Sequence, residues 1–261
     1  MNDSTLVLSE RRDHAVWITL NRPEAANALS LPALKQLRAH LAAAAADAGA
    51  WVVVITGAGD KAFCAGADLK ERRGLNEAQV REFVATIRAT MDEVAALPMP
   101  VICAMNGHAF GGGCELALAC DLRLLDARGQ IGLTETSLAI IPGAGGCVRL
   151  PRLVGVAKAK EMILTARRLS AQEALGCGLV NEIAPAGTVA AAAERQIAAL
   201  LQNGPLALRA AKAALDGGLD LPLAAALAHE AASYQTISPT SDRLEALAAF
   251  AEKRAPRFQG R

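Results

Sequence analysis

Short apolar runs alternate with longer amphipathic segments through the first half of the chain. Val52 to Ile55 and Val101 to Met105 are uninterrupted apolar runs, and a glycine follows each of them two residues later. Runs of this length predict strands that are buried on both faces, as in parallel sheets. Val16 to Leu20, which ends at the turn Asn21-Arg22-Pro23, and Leu122 to Leu125 predict two further strands.

The segments between these strands have helical patterns. Leu31 to Ala46 is rich in alanine and has Ser30 in position to cap its start, and the segment Asn76 to Leu97 begins at a capping asparagine. Gly111 to Ala119 predicts a third, shorter helix. Because strands alternate with helices, the chain is predicted to have an α/β fold with mainly parallel strand pairing.

The pattern changes after Ala157, where helical segments follow one another without strands of comparable strength between them. These segments cover 157–166, 170–176, 188–202, 204–216, 222–237 and 241–253. We therefore predict a soft boundary near residue 200. It separates a core at 1–200, which carries the candidate active site, from a helical region at 201–261.

Composition and charge narrow the class of protein. Hydrophobic residues make up 52% of the 261-residue chain and aromatic residues only 3%, so the core is sizeable but offers no aromatic strip for nucleic-acid bases. The net charge of +1 gives no field that would draw a polyanion to the surface. We interpret the short clusters Arg72-Arg73, Arg167-Arg168 and Lys253-Arg254 as solvated surface and expect no nucleic-acid partner.

The cysteines and the distribution of apolar residues indicate a soluble cytoplasmic protein. None of the six cysteines forms a C-x-x-C pair, so we expect no metal site and interpret all six as reduced core residues. No apolar run reaches the ~18–20 residues that a membrane span needs. Met1 to Arg12 lacks the apolar segment of a secretory signal. We expect no membrane partner.

Two glycine-rich stretches invite different interpretations. Gly57 to Ala62 fits the G-x-G-x-x-A dinucleotide pattern, but Phe63 to Asp68 does not form the long helix that such a site needs, so a surface turn is preferred. Gly111 to Gly113 begin a helix that is apolar on all sides and is therefore predicted to be buried. The unpaired amide hydrogens and the positive dipole end at this helix start suit an oxyanion.

Two acids lie in apolar surroundings near this anion-binding stretch. Glu115 is the only charge between Gly107 and Asp121, and a carboxylate in a buried helix costs several kcal/mol unless it is compensated. Its alternative role is that of a first-turn acid stabilised by the helix dipole. Glu135 lies among apolar residues before a glycine-rich turn, and taken alone it is as readily a helix cap or a surface acid as a functional residue. Together the two acids predict an acid–base pair.

These motifs, in this order, resemble those of the crotonase family, the enoyl-CoA hydratase/isomerase superfamily. The likeness extends from Asn21 to the last residues. It depends on Cys64 to Glu71, on Asn106-Gly107 with Gly111 to Ala117, and on Glu135 with Ile141 to Gly146. Within the family the sequence is most similar to methylglutaconyl-CoA hydratases, through Ala67 to Arg72, Glu135-Thr136 with Leu138 to Pro142, and Asp242 to Glu245 with Phe250 and Glu252 to Arg254.

The resemblance implies a fold, an assembly and a set of site residues. The implied fold is a crotonase-like spiral of ββα turns, with a helical C-terminal region that builds a homotrimer or, by pairing of trimers, a homohexamer. By position, Glu115 and Glu135 match the family's catalytic acids, and the amides of Ala67 and Gly112 match its oxyanion hole. The other matching residues are implied to bind the acyl-CoA substrate: Glu24, Ala25, Ala26, Ala65, Asp68, Leu69, Lys70, Gly143, Phe250 and Lys253.

The implied activity is that of an enoyl-CoA hydratase, a hydro-lyase that adds water across the C2=C3 bond through a stabilised enolate. Coenzyme A belongs to the substrate, and no separate cofactor is expected. We assign Glu135 as the acid that protonates C2 and Glu115 as the group that activates water. Three enzymatic alternatives stay open: a hydratase specific for 3-methylglutaconyl-CoA, an enoyl-CoA isomerase and an acyl-CoA hydrolase. The resemblance also raises RNA binding, because some relatives in the methylglutaconyl branch bind RNA through a lysine-rich helix. We disfavour this role because the segment that matches that helix, Leu31 to Ala50, has only Lys35, Arg38 and His40 as basic residues.

Overall fold

Ten strands form two sheets in the structure, a computed structural model that describes residues 5–261. Residues 1–4, which belong to the Met1 to Arg12 segment and to the predicted core at 1–200, lie outside the described range. In chain order the strands are β1 (Val7–Arg12), β2 (Ala15–Leu20), β3 (Val52–Gly57), β4 (Ala62–Cys64), β5 (Val101–Met105), β6 (His108–Phe110), β7 (Leu122–Asp126), β8 (Gln130–Gly132), β9 (Leu169–Ser170) and β10 (Glu182–Ala184).

The described residues also form eleven α-helices and two short 3₁₀ turns. The helices are α1 (Leu31–Ala46), α2 (Leu69–Arg73), α3 (Glu77–Ala95), α4 (Gly112–Ala119), α5 (Gly146–Val154), α6 (Val156–Leu164), α7 (Ala171–Gly176), α8 (Val189–Leu201), α9 (Pro205–Gly218), α10 (Leu223–Ile237) and α11 (Ser241–Ala251). The 3₁₀ turns are Pro23–Ala25 and Glu135–Leu138.

Successive strands are divided between the two sheets, and this division produces a spiral. The larger sheet has the order β1-β2-β3-β5-β7-β10 and is parallel except for the β1–β2 pair. The smaller sheet has the order β4-β6-β8-β9, and only its β8–β9 pair is antiparallel. Each of the pairs β3/β4, β5/β6 and β7/β8 therefore gives one strand to each sheet before a helical segment follows. The predicted ββα spiral and its mainly parallel pairing are confirmed.

Local signals in the sequence determine where the main helices begin. The Ser30 hydroxyl accepts a hydrogen bond from the Ala33 amide at the start of α1, and Asn76 and Gln79 form a capping box at the start of α3. The apolar pattern does not predict β4, β6 and β8, because three residues are too few for a periodicity. It also misses β1, whose sequence is largely polar because the strand lies at the sheet edge with only its first residue buried.

The buried side chains fill both faces of the larger sheet. One cluster packs α1, α3 and α4 against the sheets, with Phe63, Phe83 and Met105 fully buried in it. A second cluster packs α8 against the opposite face. The interpretation of all six cysteines as core residues is wrong for Cys147, which is exposed. Of the α5 residues only Gly146 and Leu150 are buried, so position 147 falls on the outer side of that helix.

The last three helices differ from the rest in how little they bury. In α9, α10 and α11 the buried residues are Pro205, Asp242 and Ala249, whereas several large apolar side chains are exposed: Leu215, Leu223, Leu227, Leu244, Leu247 and Phe250. The boundary near residue 200 and the oligomerising role of this region stay predictions. Within residues 5–261, no helix is both long enough and apolar enough to cross a bilayer.

Candidate active site

A cavity of about 480 Å³ lies between α3 and the segments that follow β4, β6 and β8 of the smaller sheet. Its walls come from residues within 65–72, 83–87, 111–115 and 134–144, so each successive turn of the spiral contributes to it. Most of the lining is apolar, and the acidic side chains that reach it are Glu115 and Glu135. A largely apolar cavity with a few convergent polar groups is the usual form of a small-molecule site.

Two backbone amides face this cavity without a partner. Ala67 and Gly112 both line it, and within residues 5–261 neither amide hydrogen has an acceptor. Gly66 allows the segments that contain Ala67 and Gly112 to approach each other closely. Its φ is +97°, and a Cβ placed on it would lie 2.9 Å from the Phe110 carbonyl oxygen and 3.1 Å from the Gly112 nitrogen. Only glycine permits this conformation and this close approach. A Cβ on Gly112 would lie 3.5 Å from the Ala67 nitrogen, so the two donors without acceptors are neighbours.

Glu115 projects from the first turn of the buried helix α4 toward the loop that precedes α5. Its Oε1 accepts hydrogen bonds from the amides of Ala144, at 2.7 Å, and Gly146, at 2.9 Å. A Cβ on Gly146 would come within 3.0 Å of that oxygen, so a glycine is needed for this contact. The two donors stabilise the charged form and fix the orientation of the carboxylate.

Two arginines hold the loop that orients Glu115. Arg88, on α3, donates from Nε and Nη2 to the Gly143 carbonyl oxygen, at 3.0 and 2.8 Å. Arg149 donates from Nη1 to the Ala144 carbonyl oxygen, at 3.1 Å, and pairs with Asp92 at 2.7 Å. Because both carbonyls are directed at arginines, the amide of Ala144 is left to face Glu115.

Glu135 approaches the cavity from the 3₁₀ turn that follows β8. The residue is 9% exposed, and its Oε2 is buried without a hydrogen-bond partner among the described residues. A Cβ on Gly111 would lie 3.3 Å from Glu135 Oε1, which places this acid beside the start of α4. The glycine at 111 therefore leaves space for the carboxyl group.

The two acids differ in their proton affinity. Burial and, to a smaller extent, the charge of nearby Glu115 raise the pKa of Glu135 to about 7. Burial also raises the pKa of Glu115, but the amides of Gly146 and Ala144 and the charges of Arg149 and Arg88 oppose that shift. The environment therefore favours the charged form of Glu115 more than that of Glu135, which retains its proton for a large part of the time at neutral pH.

The structure brings together part of the predicted site. The predicted site residues that line the cavity are Ala65, Ala67, Leu69, Gly112, Glu115, Glu135 and Gly143. The predicted substrate-binding residues outside its lining are Glu24, Ala25, Ala26, Asp68, Lys70, Phe250 and Lys253. Ala26 is adjacent, since its carbonyl oxygen accepts from the Ala65 amide at 3.0 Å.

Three of the residues outside the lining have clear local environments. The carboxylate of Asp68 caps α2 through the amides of Lys70 and Glu71 and pairs with Arg22 at 3.0 Å. Phe250 is 86% exposed at the end of α11, and Lys253 is also exposed. Their roles in substrate binding stay predictions.

Sequence patterns do not identify several residues of the site. Arg88 and Arg149 lie in helical segments that show no functional motif, and their contact with the 143–146 loop spans 55 residues of sequence in the case of Arg88. Of the Arg72-Arg73 cluster, which we interpret as solvated surface, Arg72 is half-buried and lines the cavity, whereas Arg73 is exposed. Among residues 5–261 no group of three potential ligands is placed to hold a metal ion.

Comparisons with known proteins agree with this architecture. The family model described as Enoyl-CoA hydratase/isomerase matches residues 10–261. A crystal structure of an enoyl-CoA hydratase from Bacillus anthracis superposes with a TM-score of 0.96 at 50% identity, covering 98% of this chain and 100% of that one. The enoyl-CoA hydratase domain-containing protein 2 of Bos taurus is 47% identical over 93% of this chain and 83% of its own length. The methylglutaconyl-CoA hydratase of Rattus norvegicus is 45% identical over 97% and 82%, respectively.

Proposed function

We propose that this chain, which belongs to the enoyl-CoA hydratase/isomerase family, adds water across the C2=C3 bond of 2-enoyl-CoA thioesters. The observation that carries the proposal is the pair of buried acids at one cavity, Glu115 and Glu135, beside two amides that lack acceptors. The coenzyme A moiety is part of the substrate, and the proposed reaction uses no resident cofactor.

The amides of Ala67 and Gly112 supply the proposed electrostatic stabilisation. A thioester oxygen bound between them becomes more negative as the enolate forms, and preorganised donors of this kind contribute about 3–4 kcal/mol each to such a transition state. Gly112 also begins α4, so the positive end of the helix dipole acts on the same oxygen. Polarisation of the carbonyl makes C3 of the enoyl group electrophilic.

Glu115 is the proposed base. Its carboxylate takes a proton from a water molecule while the water oxygen forms a bond to C3, and the C2=C3 electron pair moves toward the thioester to give the enolate. The amides of Ala144 and Gly146 favour the ionised form that this step requires. They also leave the second carboxylate oxygen of Glu115 to meet the water.

Glu135 is the proposed acid that completes the reaction. It donates its proton to C2 as the enolate collapses to the 3-hydroxyacyl thioester, so the net change is the addition of H and OH across the double bond. A pKa near 7 suits this role, because the acid is protonated for much of the time yet is a ready donor. The proton that Glu115 gained then restores Glu135 through exchange with solvent.

The coenzyme A moiety is proposed to lie along residues 24–26 and 65–70, with its nucleotide end outside the cavity. The exposed apolar side chains of α9 to α11 support a further proposal, that these helices pack against neighbouring copies in a trimer or hexamer and bring Phe250 and Lys253 to an adjoining site. The six free cysteines support a cytoplasmic location.

A spectrophotometric assay tests the proposal. Crotonyl-CoA should lose its enoyl-thioester absorbance in the presence of the protein and yield 3-hydroxybutyryl-CoA. A 3-enoyl-CoA should be isomerised much more slowly than crotonyl-CoA is hydrated. Faster isomerisation than hydration, or release of free coenzyme A as the main product, would assign the chain to another reaction of the family.

The second candidate is a hydratase specific for 3-methylglutaconyl-CoA. It is favoured by the 45% identity to the Rattus norvegicus methylglutaconyl-CoA hydratase, which extends over 258 residues. Comparing kcat/KM for 3-methylglutaconyl-CoA and crotonyl-CoA decides between a specific and a general hydratase.

A further inference from the structure

Arg88, at an exposed position of α3, directs its guanidinium at one backbone atom. Its Nε and Nη2 donate to the Gly143 carbonyl oxygen, at 3.0 and 2.8 Å. No acid in the described part of the chain, residues 5–261, forms an ion pair with Arg88. Asp92, one turn later on the same helix, pairs with Arg149 at 2.7 Å instead. Arg88 therefore directs its charge to a neutral peptide group rather than to a carboxylate.

The peptide group that Arg88 holds also contacts Glu115. The Gly143 carbonyl and the Ala144 amide belong to one planar peptide unit, and that amide donates to Glu115 Oε1 at 2.7 Å. Because this peptide is trans, its C=O and N–H point in opposite directions. Arg88 and Glu115 thus lie at the two ends of one peptide group. The orientation of this group decides whether Glu115 meets a donor or an acceptor.

Arg88 supplies the hydrogen bonds that the Gly143 carbonyl accepts among residues 5–261. Gly143 has no Cβ, so it restricts the rotation of this peptide less than another residue would. Rotation would turn the carbonyl oxygen toward the Glu115 carboxylate, which would keep only the Gly146 amide as a donor. A carbonyl oxygen in place of a donor destabilises the charged form that a base requires. Arg88 therefore opposes a rotation that would disable Glu115.

Arg149 makes a similar contact, but with a different peptide unit. It donates to the Ala144 carbonyl oxygen at 3.1 Å, and that carbonyl shares its peptide with the Gly145 amide, which is not a donor to Glu115. Of the two arginines, Arg88 is thus the one that shares a peptide unit with a donor to Glu115. Arg88 also lies outside the lining of the cavity, so it acts on the site without touching the substrate.

Several other ionisable groups surround Glu115. The charges of Arg149 and Arg88 both oppose the burial that raises its pKa, and the charge of Glu115 in turn raises the pKa of Glu135. The two thiols that respond to the same carboxylate are Cys114, beside it on α4, and Cys147 on α5. A substitution at Arg88 leaves these groups in place, so a change in Glu115 can be assigned to the lost guanidinium.

We propose that Arg88 is a positioning residue of the hydratase reaction: it locks the Gly143–Ala144 peptide in the orientation that presents an amide hydrogen to Glu115, and so keeps this base ionised and directed at the water. The inference rests on the proposed function for its kinetic test, whereas the geometry and the titration of Glu115 in the free protein test it independently.

Arg88→Met removes the donors and the charge and keeps a long side chain. It should lower kcat for crotonyl-CoA hydration by about 10- to 100-fold, the cost of a misaligned catalytic group. The KM should stay nearly unchanged because Arg88 does not line the cavity. The acidic limb of the kcat/KM profile should move to higher pH, because losing a donor and a cation raises the pKa of Glu115. Wild-type kcat in this variant would overturn the proposal.

Two further variants control the interpretation. Arg88→Lys retains a charged donor at the same position, so it should recover part of kcat and of the pH profile. Arg81→Met removes an exposed cation from the same helix, where it pairs with Glu77, and should match the wild type in both measurements. A lysine variant no better than the methionine variant, or an equal loss in Arg81→Met, would refute a specific role of the guanidinium.

Measurements without substrate separate this inference from the hydratase proposal. In a crystal structure of Arg88→Met, the Ala144 nitrogen should lie beyond about 3.5 Å from Glu115 Oε1, outside hydrogen-bond range. In protein labelled with ¹³C at glutamate Cδ, the Glu115 signal, assigned by its loss in Glu115→Gln, should titrate at higher pH in Arg88→Met than in the wild type.

The outcomes of the two proposals are distinguishable. If the wild type does not hydrate crotonyl-CoA but the peptide rotates and the titration of Glu115 moves in Arg88→Met, the hydratase proposal fails and the role of Arg88 stands. If the hydrogen bond between Ala144 and Glu115 is retained in Arg88→Met, the positioning role is refuted whatever the turnover, since the guanidinium then acts by its charge alone.

Discussion

The cavity has two acidic walls that are built in opposite ways. The wall of Glu115 is the 143–146 loop, where two amides donate to the carboxylate and two arginines hold the loop from behind. The wall of Glu135 is the 3₁₀ turn Glu135–Leu138, where one carboxylate oxygen is buried with no donor. The Glu115 carboxylate thus accepts two amide hydrogen bonds, whereas Oε2 of Glu135 accepts none.

The contrast shows how one residue type can fill two chemical roles. Donors stabilise a negative charge, so the Glu115 wall favours a base, whereas burial with one oxygen lacking a donor keeps a proton on Glu135. Neither the sequence position nor the chemistry of glutamate distinguishes the two roles. The difference arises from backbone amides, which any residue could supply, and from where they point.

The largest expected effect is the loss of either acid. Glu115→Gln and Glu135→Gln should each lower kcat for crotonyl-CoA hydration by about 10²–10⁴-fold, the usual contribution of a positioned acid or base. The affinity for the product thioester, measured by calorimetry, should change little, since neither group is proposed to hold coenzyme A. Normal turnover in one of the variants would remove that acid from the mechanism.

A smaller loss should follow from disturbing the amide pair that both acids face. Gly66→Ala forces a side chain against Phe110 and Gly112 at φ +97°, which should push the two donors apart and lower kcat about 10²-fold. Gly178→Ala is the matched control, because Gly178 has a φ of +75° but nothing within 4 Å of its Cβ position. Equal losses in the two variants would attribute the effect to backbone strain rather than to the amides.

The pH dependence of the reaction tests the assignment of roles. With Glu135 as the acid, kcat/KM should fall about tenfold per pH unit above about 7, because the proton donor is lost as the pH passes its pKa. A rate that instead rises through this range would show that Glu135 works in its ionised form. The two walls would then have exchanged roles.

The smallest expected effect is on stability. The folded pKa of Glu135, about 7, lies above the ordinary value of 4.5, so between these pH values the folded protein binds a proton that the unfolded chain releases. Wild-type stability should therefore decrease as pH rises from about 4.5 to 7. Glu135→Gln should be more stable than wild type at pH 8 by roughly 1–3 kcal/mol, with no difference near pH 4.

Urea unfolding at the two pH values measures this difference. Glu82→Gln removes an exposed acid from α3 and serves as the control for charge alone. A Glu135→Gln variant that is less stable than wild type at pH 8 would contradict the raised pKa of this acid in the folded protein.

The sequence predicts those features that depend on local chemistry. Ser30 and Asn76 are recognisable caps, and the apolar runs that form β3 and β5 are recognisable buried strands. The positions of Glu115 and Glu135 are conspicuous because a charge in an apolar segment needs a reason. The resemblance to a known family then supplied the spiral fold, which local patterns alone did not specify.

Features that depend on distant contacts are not predictable in this way. Arg88 and Arg149 look like ordinary helix-surface cations, and their role depends on a loop that the spiral brings beside α3. Arg72 and Arg73 are adjacent and identical in type, yet helix geometry sends only one of them to the cavity. No local signal separates them, since the direction of α2 is determined by its packing.

One helix connects the choice of substrate to the activation of water. Helix α3 lines the cavity with Phe83, Val84 and Ile87. The next residue, Arg88, donates hydrogen bonds to the 143–146 loop, which orients Glu115. A mutation that enlarges the chamber by shifting this helix would therefore loosen the base as well. Efforts to change the acyl preference should therefore begin at Leu138, which lines the cavity from the Glu135–Leu138 turn rather than from α3.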